Sequence, residues 1–146
     1  MECTCSCGAT SFQTLGRPLF RFFCHCTLCQ RFNDAPFADI VVFRAEDVVL
    51  PPPETVIFDT YRPPPNVQRG KCATCGQPAV TVFATRFLPR LVTVPRPMFR
   101  SDAELPSPEA HGFYDKRDAF EHSIRVPMLA YAPGLIAPGT RVTQMV

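Results

Sequence analysis

Arg69-Gly70-Lys71-Cys72-Ala73-Thr74-Cys75-Gly76 is the stretch on which the fold turns. Two residues between cysteines, followed by glycine, make the tight turn of a metal knuckle, where the glycine accepts a backbone conformation that a Cβ opposes. A knuckle supplies two soft ligands and needs more. The chain holds them in two further clusters, Cys5-Ser6-Cys7 and Cys24-His25-Cys26-Thr27-Leu28-Cys29. Two pairs make one complete four-thiolate site and three ligands remain. A tetrahedral zinc ion with four protein ligands is structural, whereas one with three keeps a position open for water or substrate.

Ligand counting favours Cys5, Cys7, Cys72 and Cys75 as the complete site, a set that joins the beginning of the chain to its middle and leaves other pairings open. Metal-binding energy at such a site is folding energy, on the order of 10 kcal/mol in small zinc peptides. Cys5 and Cys7, like Cys24 and Cys26, are one residue apart, and in an extended strand such residues point to one face. The triad Cys24, Cys26 and Cys29 needs a fourth partner, which is solvent, a substrate thiol or another protein group. The protein candidates are Cys3, His25, His111 and His122, with Cys3 continuing the alternate-residue run Cys3, Cys5, Cys7. His25 lies between two ligands and is expected to face away from them as a packed histidine. His111 and His122 are expected on the surface, and each is also a candidate proton shuttle.

Composition narrows the setting. A chain of 146 residues is expected to form one domain over 1–146 with an adequate core. With 46% hydrophobic and 19% charged residues, it reads as globular. A net charge of +2, with no basic tail or stripe, argues against a nucleic-acid partner. No apolar run reaches the 18 or more residues of a membrane span, and Met1-Glu2-Cys3-Thr4-Cys5 lacks the pattern of a secretory signal, so the expected location is cytoplasmic, with no membrane partner. In a reducing compartment paired cysteines read as metal ligands more readily than as disulfides.

Seventeen prolines exclude long helices over much of the chain. Pro51-Pro52-Pro53 and Pro63-Pro64-Pro65 read as loops. Between the breakers lie short β-rich runs at 9–14, 19–24, 37–43, 56–61, 79–83 and 91–94, which predict a mainly β, antiparallel core. Thr27 to Asn33 has helical composition, with Thr27 as its expected cap.

The ordered motifs Cys5-Ser6-Cys7-Gly8, Cys24-His25-Cys26-Thr27-Leu28-Cys29 and Arg69-Gly70-Lys71-Cys72-Ala73-Thr74-Cys75-Gly76 resemble those of the glutathione-dependent formaldehyde-activating enzymes and their relatives, which include centromere protein V. Gly8-Ala9-Thr10-Ser11-Phe12 and Ala35-Pro36-Phe37 extend the resemblance, which covers residues 3 to 83 well. It implies an antiparallel β-tent with one or two short helices. It also implies a structural zinc on Cys5, Cys7, Cys72 and Cys75, and a second zinc on Cys24, Cys26 and Cys29.

The activity implied is addition of the glutathione thiol to formaldehyde, a carbon–sulfur lyase reaction, with small-molecule thiol and aldehyde as partners. Three thiolates give a divalent ion a net negative charge and weaken it as a Lewis acid, which favours capture and orientation of the thiol over carbonyl activation. The triad Cys24, Cys26 and Cys29 is thus the candidate catalytic centre. Glutathione carries two carboxylates, for which Arg31 and Arg69 are candidate anchors. Phe20, Phe22, Phe23, Phe32 and Phe37 flank the triad as candidate walls. The competing reading is a non-catalytic zinc module for protein or chromatin interaction, with both zincs structural and a fourth protein ligand on the triad.

Overall fold

Alternation sets the first strands. Glu2–Thr4 (β1) pairs antiparallel with Ser11–Thr14 (β2), bringing Cys3 opposite Phe12. Phe12 and Thr14 face inward while Ser11 and Gln13 face solvent, the two-residue period of a half-buried strand. After Phe20–Cys24 (β3) the chain forms its one α-helix among the described residues, Thr27–Asn33 (α1), and then Ala38–Arg44 (β4), whose run of buried residues marks a strand covered on both faces. Val48–Val49 (β5), Val56–Asp59 (β6), Val67–Cys72 (β7), Pro78–Phe83 (β8), Leu91–Pro95 (β9) and Ala110–Gly112 (β10) follow, with Met128–Ala132 (β11) and Leu135–Val142 (β12). The computed structural model describes residues 1–64, 66–84 and 89–117, and the backbone of 128–132 and 135–142.

The chain folds into two compact units. Unit one comprises Met1–Leu19 and Val41–Leu105, and unit two comprises Phe20–Ile40 and Pro106–Val146. In unit one, β1, β2 and β5 form a three-stranded antiparallel sheet, and β9, β8, β7 and β6 lie side by side as an antiparallel meander. Cys3, Phe12, Val41, Phe43, Val80, Val92, Val94, Met98 and Phe99 belong to one buried cluster there. In unit two, β12 and β11 are antiparallel, but β10 runs parallel to both β11 and β3. The expected antiparallel pairing therefore describes unit one and is relaxed in unit two.

All six expected strand runs carry strands; Pro51, Pro52, Pro63 and Pro64 lie outside them, and Pro53 opens a short 3-10 turn. The helix has the expected bounds. Its cap, however, is Cys26 and not Thr27: Cys26 is extended (φ −62°, ψ 145°) and its Sγ accepts the backbone N–H of Cys29. Thr27 is already helical, so its hydroxyl does not hold the cap position. The helix ends at Asp34, whose left-handed backbone (φ 49°) directs its N–H to the Gln30 carbonyl. Among the described residues no helix is long and apolar enough to cross a membrane.

Candidate functional site

The four-cysteine cluster is built from two turns of unit one. In the first, the Gly8 N–H donates to the Cys5 carbonyl at 2.9 Å; in the second, the Gly76 N–H donates to the Cys72 carbonyl at 2.9 Å. Both glycines have φ above +70°, and this positive φ is what the knuckle reading of Gly76 required. Cys5-Ser6-Cys7 is accordingly a turn and not the extended segment expected from its spacing. Reversal of the chain, more than strand alternation, brings the two sulfurs together.

The cluster has the dimensions of a soft-metal site. The Sγ atoms of Cys5, Cys7, Cys72 and Cys75 lie within 4.8 Å of one another. Cys5–Cys7, Cys5–Cys72 and Cys7–Cys72 are 3.4, 3.6 and 3.7 Å apart. A disulfide needs about 2.05 Å. Four thiolates about 2.3 Å from a tetrahedral zinc ion have sulfur–sulfur edges of about 3.8 Å. None of the eight cysteines is in a disulfide, so the donor set fits a metal ion.

Electrostatics point the same way. Burial opposes ionisation of Cys72, yet hydrogen bonds from Thr10, from the backbone N–H groups of Cys75 and Thr74 and from Cys5 outweigh it and bring the thiol down to about 6. Cys5 is lowered as well: its burial is outweighed by the N–H of Thr10, which reaches its sulfur at 3.3 Å, and by Cys7. Cys7 moves the other way, to about 12; the Ala9 N–H favours its thiolate, but the sulfurs of Cys5 and Cys75 prevail. Crowded thiolates without a cation keep some of their protons, and a divalent ion removes that constraint.

Two supporting residues escaped the sequence reading. Gln77 ties the turns together, its Oε1 accepting the Ser6 N–H at 2.8 Å while its carbonyl accepts the Cys72 N–H at 2.8 Å. Thr10, fully buried, presents its N–H to Cys5 and its hydroxyl to the Thr55 carbonyl at 2.8 Å. Both are ordinary polar residues in sequence, and nothing in their spacing marks them.

The three-cysteine cluster belongs to unit two. Cys24 ends β3, Cys26 caps α1 and Cys29 lies one turn in, so a strand end and a helix start aim three sulfurs into a space of 4.8 Å. Cys24 and Cys29 are buried and Cys26 is partly exposed, which gives the cluster one accessible side. Hydrogen bonding to Cys26 and Cys29, reinforced by burial, pushes the Cys24 thiol well up. Among the described residues no fourth His, Cys, Asp or Glu joins the set. Cys3 lies instead in the core of unit one, where burial raises its thiol to about 12. His122 lies outside the described residues.

His25 and His111 come together. His25 is fully buried, as its packed role required, with its Nε2 2.7 Å from Nδ1 of His111. Burial, and next the neighbouring His111, lower the His25 pKa to about 4, so the ring is neutral near physiological pH. His111 is only 3% exposed and not the surface residue expected from sequence. It rides on β10, and the parallel ladder with β3 sets it opposite Phe23. The short segment Ala110–Gly112 has no apolar run to announce a buried strand. Phe37 and Tyr114 flank the pair.

The two candidate anchors differ. Arg31 is exposed on α1, two residues beyond Cys29. Arg69 belongs to unit one, is 8% exposed and carries its guanidinium 5.8 Å over the Tyr61 ring. Phe22, Phe23 and Phe32 are buried, while Phe20 and Phe37 are partly exposed.

No curated protein matches the sequence. Among solved structures, the crystal structure of a Rhodobacter sphaeroides protein, a structural-genomics target, is similar over 73% of this chain and 98% of that one, at a TM-score of 0.55 and 21% identity. At that identity the likeness concerns the fold. The sequence model of the glutathione-dependent formaldehyde-activating enzymes matches residues 1–116, which contain both cysteine clusters. The chain belongs to the glutathione-dependent formaldehyde-activating enzyme family.

Proposed function

We propose that the protein is a zinc-dependent carbon–sulfur lyase that adds a thiol, glutathione, to a small aldehyde such as formaldehyde. The observation that carries this reading is the three-cysteine cluster: three donors within 4.8 Å, one of them partly exposed, and no fourth among the described residues. Cys5, Cys7, Cys72 and Cys75 would hold a structural zinc, and Cys24, Cys26 and Cys29 a second one. A zinc ion with a position left open supplies a thiolate near neutral pH by lowering the pKa of a thiol that reaches it.

The reaction forms one carbon–sulfur bond, breaks the carbonyl π bond, and moves the thiol proton to the carbonyl oxygen. Partly exposed Cys26 marks the side from which reactants approach. Arg31, exposed on α1 two residues beyond Cys29, is the cation this reading offers to a glutathione carboxylate. Arg69 is not part of this reading, since it is buried against Tyr61 in unit one. The proposed location is the cytoplasm, where glutathione is abundant and thiols stay reduced.

Exchange NMR on glutathione and formaldehyde, with and without the zinc-loaded protein, tests the proposal, because the adduct also forms spontaneously. Acceleration that disappears in Cys26→Ser is the expected result. Exchange at the spontaneous rate in the presence of the loaded wild-type protein contradicts it.

A further inference from the structure

His25 is held from three directions. Its backbone N–H donates to the Gly112 carbonyl at 2.9 Å, its carbonyl accepts Nε2 of Gln30 at 2.6 Å, and its ring meets Nδ1 of His111 at 2.7 Å. Two of these three ties go to β10, the strand paired with β3. The residue so fastened lies between Cys24 and Cys26, and any rotation about its backbone displaces both sulfurs.

The ring is chemically odd for its surroundings. Phe37 stands 5.7 Å from it and Tyr114 packs edge-on at 5.5 Å, a box that a phenylalanine or leucine would fill at no polar cost. The imidazole instead leaves its Nδ1 as the one buried side-chain nitrogen or oxygen, among the described residues, without a hydrogen-bond partner. Such an orphan is unfavourable and calls for a reason. What histidine offers here that an apolar ring does not is the bond to His111.

We propose that His111, acting through His25, is a positioning residue of the three-cysteine cluster: their hydrogen bond locks the backbone between Cys24 and Cys26 and so sets how tightly the cluster holds a metal ion. This rests on the reading of Cys24, Cys26 and Cys29 as metal ligands. Partners that orient ligands from outside the coordination sphere change metal affinity by about 10- to 100-fold when removed. The bond to His111 is such a partner, applied through the intervening residue.

The test uses the full chain loaded with Co²⁺ or Zn²⁺. Affinity at each cluster is measured by chelator competition, and the two clusters are told apart with Cys26→Ser and Cys75→Ser reference variants. His111→Phe is expected to weaken the three-cysteine cluster about 10- to 100-fold, to shift its cobalt absorption and to leave the four-cysteine cluster unchanged. His111→Asn, which keeps a polar atom near the Nδ1 position, is expected to restore most of that affinity. His25→Phe combined with His111→Phe should be no worse than either alone, the signature of a shared interaction. Unaltered affinity at the three-cysteine cluster in His111→Phe overturns the proposal, as does equal weakening of both clusters. A wild-type chain that takes up only one ion, at the four-cysteine cluster, overturns the ligand reading itself and is distinguishable from either result.

Discussion

Cys3 and Cys5 are two residues apart and chemically opposite. Cys5 receives the Thr10 N–H and is lowered, while Cys3 lies fully buried opposite Phe12 and is raised to about 12. Alternation alone made Cys3 look like a third member of the Cys3, Cys5, Cys7 run; the turn after Cys5 breaks that run and leaves Cys3 as a small apolar core residue. Cys3→Ala is therefore expected to leave the metal content of the purified protein unchanged. Cys3→Ser should cost about 1–3 kcal/mol in chemical denaturation, because it buries a hydroxyl without a certain partner. The pH dependence has a definite sign. A folded-state value above the unfolded 9.0 means that the protonated thiol contributes its full stability below pH 9.0 and loses it as pH rises toward about 12. The stability difference between wild type and Cys3→Ala should shrink as pH rises from about 9 to about 10.5. A difference that grows over that range contradicts the assignment.

At the scale of elements, β7 shows why some strands were invisible. Val67-Gln68-Arg69-Gly70-Lys71-Cys72 carries two cations and a glycine, a composition depleted in strands. Its place is set by β6, which lays Phe58 opposite Gly70. A Cβ on Gly70 would come within 2.5 Å of Val56 and 2.9 Å of Phe58, so the glycine answers a neighbour that its own sequence cannot display. Gly70→Ala is expected to destabilise by about 1–3 kcal/mol and to lower the melting temperature. The helix α1, by contrast, was legible to the residue, because Thr27–Asn33 is bounded by a ligand motif and by Asp34-Ala35-Pro36. Its cap was not, since a cysteine whose sulfur accepts an N–H is outside the usual capping set. Gln30 fastens the helix, its amide reaching both the His25 carbonyl and the Lys116 carbonyl at 2.6 and 2.8 Å. Gln30→Ala should lower the melting temperature by an amount matching about 1–3 kcal/mol and loosen metal at the three-cysteine cluster in chelator competition, with the four-cysteine cluster unaffected.

Across the whole molecule each unit carries one cysteine cluster, Cys5, Cys7, Cys72 and Cys75 in unit one and Cys24, Cys26 and Cys29 in unit two. Ligand counting favoured these groupings and left other pairings open, and the family resemblance implied both sets, because thiol ligands have few other uses in a chain with this spacing. The partners that shape the clusters could not be read. Gln77, Thr10 and His111 reach their sites only through chain reversals and a parallel ladder, which single-sequence periodicity does not encode. The proposed function requires one closed cluster and one open one in the same chain. Its most direct measurement is a count of bound metal, coupled to a glutathione titration of the cobalt-substituted protein followed by its sulfur-to-cobalt absorption. The expected result is two ions per chain, and a rise in absorption on adding glutathione that is lost in Cys26→Ser and kept in Cys3→Ala. Two ions with a spectrum that glutathione leaves unmoved would show both clusters closed and contradict it.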